Sequence, residues 1–181
     1  MKTTLNKIRA HVPCADGWQK LLTYLNKTGA DDEPLPITTI LDSNGIEDAL
    51  WCLRAVEGHD REIRLYAVWC ARQVQHLIND PRSLAVLDVA ERHAHGMATD
   101  VELASARDAA GSAAWAAAGD VAAASAWAAA RSATWYAAWE AARDAAGEGA
   151  GAAAGEGAGA AARDAQSARL REVCAEIESR E

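Results

Sequence analysis

From Ala104 to Ala165 the chain is written almost entirely in Ala, Gly, Trp, Ser, Arg, Asp and Glu. Alanine is the strongest helix former and carries no functional group, so such a tract builds helices and surfaces but supplies few catalytic side chains. Within it, Gly147–Ala154 (GEGAGAAA) is followed directly by a copy, Gly155–Ala162. Each glycine costs a helix about 1 kcal/mol relative to alanine. The six glycines between 147 and 159 therefore read as a flexible linker, unless close backbone packing holds them as helix.

The rest of the tract has legible punctuation. Thr99 can cap a helix, and Glu102 three residues on completes a capping-box pattern. That helix runs past Trp115 to Gly119, and Asp120 is a plausible new cap. Taken from Asp120 at about 100° per residue, Trp127, Trp135 and Trp139 fall within about 120° of arc. Arg131 lies between two of these indoles at i+4 spacing and can stack as a cation–π partner. Such a face either docks its helix on a neighbour or holds a flat ligand, with the guanidinium on phosphate. The motif Ala-Arg-Asp-Ala recurs at 106–109, 142–145 and 162–165, but the intervals are unequal, which excludes a regular solenoid.

Helix signals also dominate the first half. Asp16 is a candidate cap for a helix with Trp18, Leu21, Leu22 and Leu25 on one stripe. Residues 27–36 form a loop by composition. Ile37–Leu41 is short and β-branched, but with no partner strand evident it reads as a helical turn or two ending at Gly45. Ile46–Val56, a longer helix from Asp60 through Leu77, and a helix opened by Pro81 and stopped at Gly96 follow. Trp18, Trp51, Tyr66 and Trp69 read as core. Leu170, Val173, Cys174 and Ile177 share one side of a last helix, Ala160–Glu178. The expected architecture is all-α: a compact helical domain of about five helices over 1–96, and an Ala/Trp-rich helical hairpin within 97–181 packed on it.

The net charge of −8 opposes a role on nucleic-acid polymers, which require clustered Lys and Arg. No strongly apolar run reaches bilayer length, and no apolar run follows Met1-Lys2 as a secretory signal would. The four cysteines form no CxxC pair. These features point to a cytoplasmic protein with reduced thiols.

Candidate chemistry is sparse. His11 and Cys14, three apart, are the most metal-like pair, with Cys52 and Cys70 available to complete a tetrahedron; the scattered spacing argues against it. Cys14 as a nucleophile lacks an assignable orienting group. His93 and His95 read as helix-end or solvent-facing residues. Asp42, Asn44, Glu47 and Asp48 can gather near one helix start. No phosphate-binding loop, dinucleotide fingerprint or nucleophile elbow is present. Neither a metal nor another cofactor is expected. The residues singled out for ligand or partner binding are Trp127, Arg131 and Trp135, then His11, Cys14, Asp16 and Trp18.

Asp80–Gly96 (DPRSLAVLDVAERHAHG), then Ala98–Leu103 (ATDVEL) and the Ala/Trp helices, resembles a family of immunity proteins found in bacterial toxin-immunity loci and phage genomes. The likeness covers roughly residues 60–175; the glycine octads depart from the family's alanine runs. Ile8–Trp18 (IRAHVPCADGW) and Ile46–Val56 (IEDALWCLRAV) look like a segment of uncharacterised phage and proteobacterial proteins. The resemblance implies an all-helical, non-enzymatic binder in microbial conflict, in the bacterial host cytoplasm. It carries over no binding residues. Its partner would be a protein toxin, a defence factor or a small nucleotide. The rival classes are a small enzyme using His11 and Cys14, with or without metal, and a structural module that oligomerises through the Trp face.

Overall fold

The computed structural model describes residues 1–73, 75–77, 80–116 and 156–180. Within them the protein is all-α apart from one two-stranded ladder. It divides into two compact units, Met1–His59 with Ser167–Glu181, and Asp60–Gln166.

In the first unit, β1 (Lys2–Thr3) pairs antiparallel with β2 (Leu35–Pro36), Thr3 opposite Leu35. This pairing went unseen in the sequence. Pro36 tolerates it because it stands at the end of a two-residue edge, where the missing N–H matters little. The Met1 carbonyl accepts from Ile37 N at 3.1 Å and extends the contact. The Thr3 hydroxyl, buried, donates to the Ala55 carbonyl at 2.5 Å.

Thr4 caps α1 (Leu5–Ala10) by accepting from Lys7 N at 3.2 Å, and Leu5 and Ile8 face inward. The cap of α2 (Ala15–Tyr24) is Cys14, not Asp16: its Sγ accepts from Gly17 N at 3.4 Å, and Asp16 lies exposed in the first turn. There its carboxylate still complements the positive helix end. The loop that follows is held by Lys27, whose Nζ lies 2.6 Å from both Asp31 and Glu33.

Ile37 does begin a helix, α3 (Ile37–Asn44), and Gly45 closes it at φ 99°, a conformation that favours glycine. Next come α4 (Ile46–Cys52) and a 3₁₀ turn at Leu53–Ala55, so the expected 46–56 helix tightens in its last turn.

The second unit opens with α5 (Asp60–Gln73), shorter than expected, and a 3₁₀ turn at Gln75–Leu77. Asp80 caps α6 (Pro81–Ala94) through Arg82 N at 2.8 Å, with Pro81 in the first turn, where its missing N–H has no cost. Gly96, at φ 71°, follows the helix end. Thr99 and Glu102 then form the expected capping box of α7 (Asp100–Ala116). Thr99 N donates to Glu102 Oε2 at 2.7 Å, and Glu102 N donates to Thr99 Oγ1 at 3.2 Å. Val68, Val86, Ala90, Leu103 and Ala110 build the main core here. The compositional boundary at residue 96 falls between α6 and α7, two helices that share this cluster.

The final helix, α8 (Glu156–Glu178), starts four residues earlier than expected. It contains Gly157 and Gly159, so the end of the second octad is helix, not linker. Gly147–Gly155 and the Trp127–Trp139 stretch lie outside the described residues. The division between the units falls within α8. In the first unit its Leu170, Val173, Cys174 and Ile177 are all buried, as their spacing predicts, and Arg171 pairs with Asp42 at 2.5 Å. In the second unit the Tyr66 hydroxyl donates to the Gln166 carbonyl at 3.1 Å.

The tryptophans correct one expectation. Tyr66 is fully buried, but Trp18, Trp51 and Trp69 are only partly so. Trp51 lies under the Arg54 guanidinium, 4.3 Å from its ring centroid, and Trp69 stacks on Tyr66. Ala49, Ala67, Ala71, Ala90 and Ala110 are buried instead, so backbones approach too closely to admit indoles.

Candidate functional site

Of the residues singled out from sequence, His11, Cys14, Asp16 and Trp18 fall on the α1–α2 junction and the first turn of α2. Trp127, Arg131 and Trp135 lie outside the described residues.

The junction starts at His11, whose N–H donates to the Ile8 carbonyl at 3.1 Å and closes α1. Val12 then turns the chain at φ 56° with its side chain 84% exposed. A β-branched residue in the left-handed region is strained, and strain of this kind gathers at working loops. Pro13 fixes the return, and Cys14 enters α2 as its cap. His11, Val12, Cys14 and Asp16 are exposed; Trp18 is half-buried.

Behind the loop is a closed polar network. Asn44 Nδ2 donates to the Gly17 carbonyl at 2.8 Å and to Asp48 Oδ2 at 2.7 Å, and Asn44 Oδ1 accepts from Ser43 Oγ at 2.7 Å. A Cβ at Gly17 would lie 2.7 Å from Asp48 Oδ2 and 3.1 Å from Cys14 Sγ, which is why glycine stands there. Asn44 and Asp48 thus gather as expected, while Asp42 turns to Arg171. Burial, reinforced by the Asp48 carboxylate, pushes the Cys52 thiol up to about 12. Burial likewise pushes Cys70 up to about 12. Burial thus holds both thiols protonated, the setting of a structural cysteine. Among the described residues, no three His, Cys, Asp or Glu side chains are placed to hold a metal ion.

A second constellation was missed. At one end of the second unit His95 caps α6 and lies exposed, as expected, but both imidazoles also meet arginines. Arg64 contacts His93 Nδ1, His93 Nε2 lies 2.7 Å from Asp100 Oδ1, and Arg61 reaches His95 Nδ1 at 3.2 Å. The usable signal was an i, i+3 arginine pair on one helix and an i, i+2 histidine pair at the end of the next, but only the α5–α6 packing joins them.

No family model, no curated protein and no solved structure matches the chain. Fold and site together define a mainly α-helical protein with an exposed, strained loop in one unit and an Arg–His cluster in the other. No described helix is long and apolar enough to cross a membrane.

Proposed function

We propose that the chain is a non-catalytic binding protein of microbial conflict, immunity-like or counter-defence in role. It acts in the cytoplasm by stoichiometric capture of a toxin, a defence protein or a nucleotide signal. The observation that supports this reading is the His11–Cys14 loop. It presents a strained, solvent-facing Val12 on a framework whose polar groups already bond one another. Its thiol serves as a helix cap, a structural rather than a chemical use. A rigid protrusion of this kind suits contact, because little order is lost on binding.

Native mass spectrometry of the protein purified from its host cells tests the reading. The expected result is a complex of fixed stoichiometry that Val12→Asp disrupts, since an exposed aspartate tolerates the left-handed backbone. A single species at the chain's own mass counts against it. Tryptophan fluorescence across a nucleotide panel separates the two partner classes. Quenching that Arg131→Ala abolishes identifies a nucleotide, and a mass increment of protein size identifies a protein.

A further inference from the structure

We propose that Arg61, Arg64, His93 and His95 form a binding site for the dianionic phosphoryl group of a small phosphomonoester. Arg61 and Arg64, three apart on α5, project from one helical face. Each meets an imidazole from the end of α6: Arg61 reaches His95 Nδ1 at 3.2 Å, and Arg64 contacts His93 Nδ1. A guanidinium only donates, so both Nδ1 atoms accept in these contacts. Asp100 at the start of α7 fixes this for His93 by accepting from its Nε2 at 2.7 Å, on a ring only 18% exposed.

The charge pattern is what points to a ligand. Arg72 lies against Asp88 and Glu91, Arg82 against Asp80, Arg169 against Glu172 and Glu176, and Arg171 against Asp42. Among the described residues, Arg61 and Arg64 have no carboxylate within ion-pair distance; each is matched by an imidazole ring nitrogen. Two unneutralised guanidiniums side by side are notable in a chain of net charge −8. Each retains further N–H donors in a planar fork, and exchanging an imidazole nitrogen for an anionic oxygen turns an ion–neutral hydrogen bond into a hydrogen-bonded ion pair. A phosphomonoester carries close to two negative charges and three oxygens at neutral pH, enough to engage both forks. A carboxylate has one charge and two oxygens and satisfies only one.

The site does not depend on the microbial-conflict reading. Its test reads nuclei of the second unit, whereas that reading is tested by intact complexes, so either can fail alone. The full chain is titrated with inorganic phosphate, AMP, adenosine and acetate, following arginine Nε and histidine ring nitrogens by NMR. Phosphate and AMP should give saturable shifts at Arg61, Arg64, His93 and His95, with no such response to adenosine or acetate. Arg61→Ala and Arg64→Ala should each weaken phosphate binding by about tenfold or more. Arg61 is exposed, so its removal leaves the core untouched. The proposal is overturned by an absence of saturable shifts with phosphate and AMP, by acetate acting equally well, or by unchanged affinity in Arg61→Ala.

Discussion

Tyr66→Phe measures how firmly the start of α8 is tied within its unit. Tyr66 is 1% exposed, and its hydroxyl donates to a carbonyl 100 residues away, at Gln166. That carbonyl sits inside α8 and keeps its helical partner when the hydroxyl goes, so no acceptor is stranded. The main loss is therefore the hydrogen bond to Gln166, about 1 kcal/mol, with the weaker contact to the Cys70 thiol lost beside it. The ring survives with its stacking on Trp69, at 6.4 Å between centroids. Tyr66→Ala removes the ring as well and should cost about 3–5 kcal/mol. With a urea m-value of about 1–3 kcal/mol/M, Tyr66→Phe should lower the midpoint by roughly 0.5 M without changing m. Hydrogen exchange should accelerate at the amides of 160–168. The hydroxyl also bonds the Cys70 side chain and holds its thiol lower than burial alone would. The reasoning fails if Phe costs as much as Ala, or if exchange in α8 is unchanged.

Val12→Gly should raise stability by about 1 kcal/mol in thermal or urea unfolding, because glycine relieves the left-handed strain and an exposed valine forfeits little burial. If the loop is a contact surface, the same variant loses its partner while gaining stability. Thiol labelling of the native protein should reach Cys14 alone, with Cys52, Cys70 and Cys174 reacting only on unfolding. Cys52 and Cys70 keep their protons to about pH 12 when folded, whereas unfolded thiols release them near 9. The unfolded state then binds fewer protons in that window, so stability is full below pH 9 and falls as pH rises toward 12. Cys52→Ala should flatten that alkaline decline in melting temperature; an unaltered slope would refute it.

What could be read from the sequence was local. The Thr99–Glu102 box, the Asp80–Pro81 start, the stops at Gly45 and Gly96 and the Leu170–Ile177 stripe all depend on residues within about two turns of one another. What could not be read depends on partners brought in from afar. Lys2–Thr3 and Leu35–Pro36 are too short to show alternation, and their pairing is set by where α3 begins. Cys14, not Asp16, is the cap because the helix already begins at Ala15, which leaves the Cys14 thiol as the group that meets Gly17 N. Size alone marks the tryptophans as core. Yet in an alanine-rich chain close helix contacts favour small residues inside, so the large rings are pushed to the margin, half-buried. The Arg–His cluster failed to register for a related reason. Charged residues at i, i+3 on one helix look like a solvated face until another helix end arrives bearing imidazoles instead of carboxylates. A sequence shows which charges exist; only the packing shows that Arg61 and Arg64 meet imidazoles rather than carboxylates.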